Sequence, residues 1–239
     1  MFLSTQAIVL SKIKYRDNDL IVSCYTKEVG LISFLLRGVL KSKKGHTKAA
    51  YFQLLSQIQI DADIKQNRTL QTLKDVKINV LYRTLHTEVL KSSIVMFLAD
   101  VLAMVLKEEE ANTELFEYIE NSLNILDETT ESSNFHLVFL AQLTKYLGFS
   151  PDTSNSHFNY FNLSSGQFET QSKSIYSITG DNLKFLKLSL GILFDDLSEM
   201  KMSSKQRQSF LEMLLLYYEL HLGHFKKPRS LAVFSQVFS

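Results

Sequence analysis

Five short stretches within the first 78 residues of this chain have the composition and the alternation of β-strands. They cover residues 5–14, 19–25, 31–37, 52–63 and 70–78. Turn-forming residues separate them, among them residues 26–30, where Gly30 is free to adopt a positive φ. Five strands in so short a segment leave unpaired edges unless the sheet closes on itself. The pattern therefore predicts a small barrel, with a five-stranded OB-fold as the leading candidate and an SH3-like barrel as its competitor.

After residue 79 the hydrophobic period changes from that of strands to that of α-helices. Ser203 and Gln206 form the pattern of a capping box before a long apolar helix. We therefore predict an α+β chain, in which an OB-fold domain at residues 1–79 precedes a mainly α-helical domain at residues 80–239. Residues 151–178 are polar and aromatic, and they predict an irregular excursion with short strands. The predicted helices cover residues 87–106, 112–126, 135–147, 179–193, 210–222 and 230–238.

The net charge of +1 hides an asymmetry between the two predicted domains. Residues 1–78 hold 13 Lys and Arg against 6 Asp and Glu, whereas residues 79–239 hold 13 against 19. A basic half beside an acidic half favours a nucleic-acid partner for the basic one. Cys24 is the single cysteine, which excludes an internal disulfide and favours a reducing compartment such as the cytoplasm. We expect no signal peptide and no membrane span, because the most apolar run, residues 94–106, is too short.

Residues 37–48 form the segment that points most directly to a function. They carry five cationic side chains and no acidic one, and they follow a predicted strand as a loop. Lysines on a loop suit the phosphate backbone of DNA, because each binds a phosphate without a fixed register and releases counterions. Such contacts position a protein on DNA without reading its sequence. The predicted DNA-binding residues here are Arg37, Lys41, Lys43, Lys44 and Lys48, joined by Lys12, Lys14 and Arg16 in and after the first strand.

Each of these features also has an ordinary structural explanation. A lysine-rich loop is often only a solvated loop, although a five-stranded barrel with a basic charge favours nucleic acid. Tyr15 and Tyr51 offer stacking surfaces for unpaired bases, but most aromatic residues in a small barrel fill its core. A second basic cluster near the C-terminus either extends the DNA path or interacts with the dipole of the preceding helix. This cluster consists of Lys226, Lys227 and Arg229.

No pattern in the sequence is typical of a catalytic site. The chain lacks a phosphate-binding glycine loop, a serine-nucleophile elbow and a zinc-protease motif. His221 and His224 are three residues apart on a predicted helix, but a metal site needs more ligands within reach. Asp195 and Asp196 could form a carboxylate pair, but a position at a helix end or in a solvated turn is the simpler explanation. We therefore expect a non-enzymatic protein without a metal or other cofactor.

Four blocks in the first 50 residues resemble the N-terminus of the bacterial RecO family in their order and spacing. Residues 217–223 and 226–230 resemble the end of that family, so the likeness covers the whole chain. The four blocks are QAIVL at residues 6–10, DNDLIV at 17–22, TKEVG at 26–30 and RGVLKS at 37–42.

The resemblance implies an OB-fold followed by a helical domain, and the function of a recombination mediator in DNA repair. It implies binding to single- and double-stranded DNA and annealing of complementary strands. It also implies contact with the C-terminal tail of single-stranded-DNA-binding protein, and cooperation with RecR in loading RecA onto DNA coated by that protein. The tail is acidic and hydrophobic, so we expect an apolar pocket rimmed by cations on the helical body.

One departure from the family concerns zinc. Many members bind zinc through four cysteines in the region that corresponds to residues 151–168, and this chain has none there. We therefore expect no zinc, and we expect aromatic packing to replace the cross-link. The aromatic residues concerned are Phe158, Tyr160, Phe161 and Phe168.

A protein-interaction adaptor, whose barrel binds a peptide or a subunit, is the alternative to a DNA-annealing mediator. The adaptor predicts an exposed apolar groove and little affinity for DNA at moderate salt. The mediator predicts DNA binding that weakens steeply as salt rises.

Overall fold

A computed structural model describes residues 1–41, 49–65, 67–106 and 110–238. The N-terminal strands are β1 (Phe2–Tyr15), β2 (Asp19–Thr26), β3 (Gly30–Leu36), β4 (Gln57–Asp63) and β5 (Leu70–Ile78). They form a closed barrel in the order β1-β2-β3-β5-β4. β3 and β5 pair in parallel, and the other neighbours are antiparallel. The barrel and the helices that follow it confirm the predicted α+β class with an OB-fold.

β1 closes the barrel because it is long enough to pair with two strands at different heights. Its residues 2–8 pair with β4, and its residues 7–15 pair with β2. The register with β2 shifts between Val9 and Ser11, so one extra residue forms a β-bulge there. A bulge bends and twists its strand, which lets β1 leave β4 and continue along β2.

The barrel interior is a single apolar cluster that includes Val22, Phe34 and Ile60, none of which is exposed. Phe52, from the segment before β4, packs into the same cluster. Burial of these side chains removes apolar surface from water and is the main stabilising contribution to the barrel.

The start of β4 differs from the sequence-based prediction. We predicted a strand from residue 52, but β4 begins at Gln57. Leu55 has a φ of 58°, which is the left-handed region and interrupts a strand. Its N–H donates to the Val9 carbonyl at 2.7 Å, and its side chain is fully buried. The apolar pattern of residues 52–56 therefore reflects burial in a turn rather than strand pairing.

The predicted helices are confirmed, with ends that differ by a few residues. Gly148, with a φ of 80°, follows the end of the third helix as expected. The capping box is also present, since the Ser203 hydroxyl accepts from the Gln206 N–H and the Gln206 side chain accepts from the Ser203 N–H. The helices are α1 (Val89–Val105), α2 (Thr113–Glu128), α3 (Phe135–Tyr146), α4 (Gly180–Gly191), α5 (Ser204–His221) and α6 (Leu231–Val237).

The chain divides into two compact units. The first contains Met1–Glu88 and Val95–Asn124, so it combines the barrel with most of α1 and most of α2. The second contains Val89–Ile94 and Ile125–Ser239. The domain boundary between residues 79 and 80 remains a sequence-based prediction. Along the described residues, none of the helices has both the length and the apolar composition that crossing a bilayer requires.

In the second unit, the predicted excursion contains a small sheet of three short strands. They are β6 (Tyr160–Asn162), β7 (Gln167–Glu169) and β8 (Ser177–Ile178), in the order β7-β6-β8. Phe161 and Phe168 are buried with ring centroids 4.9 Å apart, whereas Phe158 and Tyr160 are only half-buried. Two of the four predicted aromatic residues thus form the core of this sheet.

His136, at the start of α3, gives the second unit a pH-dependent stability. Its ring is fully buried, 4.8 Å from the ring centroid of Phe234 and 5.0 Å from that of Phe238. Burial, together with the positive charge of Arg207, lowers the pKa of His136 to about 3. An unfolded histidine titrates near 6.5, so below that pH the unfolded chain binds a proton that the folded chain does not.

We therefore expect His136 to make the free energy of unfolding fall by about 1.4 kcal/mol for each pH unit as the pH drops from about 6.5 towards 3. His136→Phe keeps an aromatic ring and should flatten this part of the pH profile. The measurement is urea unfolding at a series of pH values. The matched control is the same exchange at His224, which is exposed and should keep the wild-type profile. Equal slopes for wild type and His136→Phe would contradict the assignment.

Candidate nucleic-acid interface

The end of β1 and the start of β2 form a hairpin arm, defined here as residues 11–23. Residues 11–15 of β1 pair with residues 19–23 of β2, whereas pairing of β1 with β4 stops at Ile8. Arg16, in the connecting turn, has a φ of 54°, so the chain reverses direction within residues 16–18. The arm therefore continues past the point at which β1 leaves β4.

The register determines which arm residues share a face, because directly opposed residues on antiparallel strands point to the same side. Lys12 lies opposite Val22, and Lys14 lies opposite Leu20. Val22 and Leu20 belong to the barrel core. Lys12 and Lys14 thus continue the inner face of the sheet beyond the core, where both are exposed.

Two hydrogen bonds join the arm to the segment that follows β3. The Gly38 N–H donates to the Asp19 carboxylate at 2.7 Å, and the Leu40 N–H donates to the Asn18 carbonyl at 3.0 Å. Gly38 has a φ of 63°, a conformation that favours glycine and turns the chain towards the arm. The two cationic segments that the sequence separates are therefore held together.

Five of the predicted cations lie on the arm or in the segment after β3, and all five are exposed. In the part of the chain that the structure describes, none of them forms an ion pair with a carboxylate. The ion pairs of the barrel lie elsewhere, at Lys74–Asp63 and Lys27–Glu117, each at 2.9 Å. Exposed cations without a carboxylate partner are available to phosphates. The five residues are Lys12, Lys14, Arg16, Arg37 and Lys41.

A cleft of about 700 Å³ opens beside β5, at the end of β3. Arg37, Arg68 and Lys74 contribute to its walls, together with Phe52 and Gln71. β3 and β5 pair over only two residues each, so the barrel is least closed at this seam. The Lys74 charge is compensated by its ion pair with Asp63, so among the described residues of the cleft Arg37 and Arg68 are the cations without a carboxylate ion pair.

The structure does not assign the remaining predicted cations to this surface. Lys43, Lys44 and Lys48 lie outside the described residues, so their role remains a prediction. Residues 226–229 belong to the second unit, where α5 ends at His221 and α6 begins only at Leu231. The cluster therefore precedes α6 and does not lie in the last turn of α5, which weakens the explanation by the helix dipole. Lys226, Lys227 and Arg229 are all exposed.

Sequence reasoning missed Asp19 and Arg68. Asp19 is an unremarkable acidic residue at the start of a strand, and its bond to Gly38 follows from the turn after β3. The Asn67–Arg68 pair indicates no more than a turn in the sequence. Arg68 shares a cleft with Arg37 because β3 and β5 pair across a long sequence separation, which local patterns do not reveal.

The two tyrosines considered for base stacking differ in their surroundings. Tyr51 is half-buried and packs against the barrel core, as most aromatic residues of a small barrel do. Tyr15 is 38% exposed, and the Arg16 guanidinium lies 5.2 Å from its ring centroid. Of the two, Tyr15 is therefore the one accessible at the cationic surface.

Cys24 and His221 occupy structural positions in the described part of the chain. Among the residues whose positions are described, no three His, Cys, Asp or Glu side chains are grouped in a way that could hold a metal ion. Cys24 is buried in the barrel, and burial raises the pKa of its thiol to about 12. The His221 ring nitrogen lies 2.8 Å from the Leu163 carbonyl, a structural contact.

Two family models match the chain and together cover almost all of it. Residues 1–82 match the model described as recombination protein O N terminal, and residues 86–231 match recombination protein O C terminal. Curated relatives over their full length include the DNA repair protein RecO of Christiangramia forsetii, at 45% identity over 238 residues, and that of Flavobacterium psychrophilum, at 40% over 239 residues. The RecO of Phocaeicola vulgatus is 36% identical over 248 residues, and each alignment covers 100% of both chains.

The bond from Gly38 to Asp19 gives a prediction about the cationic surface. Hydrogen bonds to charged groups contribute about 1.5–3 kcal/mol, so Asp19→Ala should lower the free energy of unfolding by about 1.5 kcal/mol. It should also speed hydrogen exchange at the Gly38 and Leu40 amides, because the segment after β3 loses its tether. Asp19→Asn keeps an acceptor oxygen and should have the smaller effect. Urea unfolding and amide exchange by NMR measure both, and unchanged exchange in Asp19→Ala would contradict the tether.

Proposed function

The chain belongs to the RecO family, and on that premise we propose that it acts in DNA repair as a non-enzymatic recombination mediator. In this role it binds single- and double-stranded DNA and anneals complementary strands. With RecR, it assists the loading of RecA onto DNA that single-stranded-DNA-binding protein coats. The curated relatives carry the name DNA repair protein, which supports the general role.

The observation that carries the DNA-binding part of this proposal is the exposed cationic surface around the hairpin arm. Lys14, Arg16, Arg37 and Lys41 lie close to the two hydrogen bonds that join the arm to the segment after β3. Four cations in one place can contact several phosphates at once. Each contact releases counterions, and this entropy gain makes binding strong at low salt and weak at high salt.

Contacts of this kind also account for annealing. Cations that bind phosphates reduce the repulsion between two strands, so complementary strands approach each other more often. Phosphate contacts do not occupy the Watson–Crick edges of the bases, which remain free to pair. A surface of this kind needs no catalytic group to promote pairing.

We propose that the acidic tail of single-stranded-DNA-binding protein binds to the second unit, in a pocket beside the start of α5. The pocket has a volume of about 180 Å³, which suits one apolar side chain rather than a large ligand. Leu211, Phe234 and Phe238 supply its apolar surface, and Lys205 and Arg207 supply positive charge.

The surroundings of Arg207 favour binding of a peptide carboxylate. Its Nε donates to the Asn134 side-chain oxygen at 3.0 Å, and its guanidinium lies 6.0 Å from the Phe238 ring centroid. Burial lowers the pKa of Arg207, yet no carboxylate pairs with it in the described part of the chain. A carboxylate of the tail would compensate this partly desolvated charge, while an apolar tail residue fills the pocket.

The DNA-binding part of this proposal is tested with variants of the arm. The triple variant in which Gln replaces Lys12, Lys14 and Arg16 should bind single strands more weakly. The slope of log affinity against log salt concentration should also become less steep, by about 0.7 for each phosphate contact that is lost. Fluorescence anisotropy at several salt concentrations measures both quantities. The matched control exchanges three exposed lysines of the second unit, Lys173, Lys184 and Lys201, which changes the net charge equally. The same test applies to Lys41, Lys43, Lys44 and Lys48.

The same variants distinguish a mediator from a protein-interaction adaptor. Wild-type protein should accelerate annealing of complementary strands coated with their binding protein, and the arm variant should do so less than its control. If wild-type protein binds no DNA at moderate salt, or fails to accelerate annealing, the adaptor becomes the better account. If the affinity falls equally in the arm variant and its control, only the net charge matters and the arm does not bind the DNA.

The second prediction concerns the tail. Arg207→Ala should weaken binding of a fluorescent acidic tail peptide by about tenfold, or about 1.4 kcal/mol, because the peptide carboxylate loses its partner. Anisotropy titration measures this affinity, and thermal unfolding checks that the variant folds. Lys184→Ala removes an exposed charge outside the pocket and should bind the peptide normally. Unchanged affinity in folded Arg207→Ala would remove this pocket from the proposal.

A further inference from the structure

The outer face of the barrel sheet is covered by a helix at one end and open at the other. At the covered end, Tyr25 is 2% exposed, and its ring stacks on Phe116 of α2 at 6.1 Å. At the open end, on the hairpin arm, Ile13 is 61% exposed and Tyr15 is 38% exposed. Both ends are formed by β1 and β2, so the difference in side-chain exposure comes from the helix that covers one end and not from strand pairing.

The register joins the open residues into one apolar row. Ile13 lies opposite Ile21, and Ile21 lies opposite Leu35 on β3. Opposed residues share a face, and the neighbouring row of lysines and core residues faces inward, so this row faces outward. Tyr15 extends the same face by one step along β1, towards the turn of the arm. Ile21 and Leu35 are half-buried, and Leu35 also borders the cleft beside β5.

Two cations adjoin this row. Arg16 lies over the Tyr15 ring, and Arg37 follows the end of β3, while Lys12 and Lys14 add positive charge on the opposite face of the arm. Protein-binding surfaces are depleted of charge at their centre, whereas surfaces for single-stranded nucleic acid combine stacking side chains with cations along the backbone. The charge around the row therefore favours unpaired DNA as its occupant over a protein.

We propose that Tyr15, supported by Ile13 and Ile21, is the residue by which the barrel distinguishes unpaired bases from duplex DNA. A base of a single strand stacks on the Tyr15 ring and the apolar row, while Arg16 holds the adjacent phosphate. Bases in a duplex are already stacked and do not reach the ring, so a duplex is bound through its phosphates alone. This inference rests on the proposed function, since it requires a barrel that binds DNA.

The β-bulge in β1 makes this arrangement possible. Without the extra residue between Val9 and Ser11, the alternation set by Val9 would turn Ile13 and Tyr15 inward and Lys12 and Lys14 outward. Because of the one-residue shift, Ile13 and Tyr15 point outward along the arm, and Lys12 and Lys14 point inward. The bulge therefore exposes the stacking residues on the outer face and leaves the lysines at the rim of the barrel core.

The first test compares single-stranded and duplex oligonucleotides of equal length. Tyr15→Ser should weaken single-strand binding by about tenfold, because one base no longer has a ring to stack on, and should leave duplex binding unchanged. Tyr15→Phe keeps the ring and should bind both like wild type. Equal weakening for single strand and duplex in Tyr15→Ser, or no weakening for either, would overturn the inference. Duplex binding by the wild type would then still support the proposed function.

A second test reports stacking directly. The chain contains no tryptophan, so Tyr15→Trp introduces a single fluorophore at the proposed contact. Its emission should be quenched by a saturating single strand and not by a saturating duplex, with saturation shown by anisotropy of labelled DNA. Tyr146→Trp is the matched control, since Lys145 also lies over its ring, at 5.6 Å, but on the second unit. Equal quenching at both positions, or quenching at Tyr15→Trp by both DNA forms, would contradict the proposal.

Discussion

Closure of the N-terminal barrel depends on a single strand that pairs with two neighbours. β1 pairs with β4 through residues 2–8 and with β2 through residues 7–15, and a β-bulge after Val9 shifts the register with β2. Residues 55–56 hydrogen-bond to β1 at the bulge. The Leu55 N–H donates to the Val9 carbonyl, and the Val9 N–H donates to the Ser56 carbonyl. If β1 ended at the bulge, the sheet would still close against β4, but the hairpin arm would not exist. The barrel and the candidate DNA surface are thus two consequences of the length of one strand.

The arm brings several cations together with little loss of hydration, because these side chains lie beyond the barrel core. Lys12 and Lys14 share a face with core residues, yet they are exposed, so neither loses its hydration. Repulsion among the cations is screened at physiological salt and opposed by Asp19, whose carboxylate also anchors the Gly38 N–H. The acidic residue within a basic surface therefore has a structural role. It holds in place the backbone that carries Arg37 and Lys41.

The elements of the fold were largely predictable from the sequence, and their geometry was not. The period of two identified β2, β3 and β5, and the period of helices identified α1 to α6, because burial of one face imposes those periods. The same logic failed for residues 52–56, where Leu55 is buried in a left-handed turn. The bulge in β1 lies in a continuous apolar run, so the pattern does not show where the phase changes. The cationic residues could be identified by composition, but their proximity to one another depends on the non-local bonds at Asn18 and Asp19.

Packing and hydrogen bonds hold the small sheet of the second unit against α5. Residues 151–178 contain no cysteine, and their small sheet is instead attached to α5. The Tyr217 hydroxyl donates to the Phe149 carbonyl at 2.8 Å, and His221, one turn later, contacts the Leu163 carbonyl at the same distance. Gly166 approaches so closely that an added Cβ would lie 3.0 Å from the Tyr217 oxygen, at a φ of 69°. Tyr217 and His221 are four residues apart, so these contacts lie on one face of α5.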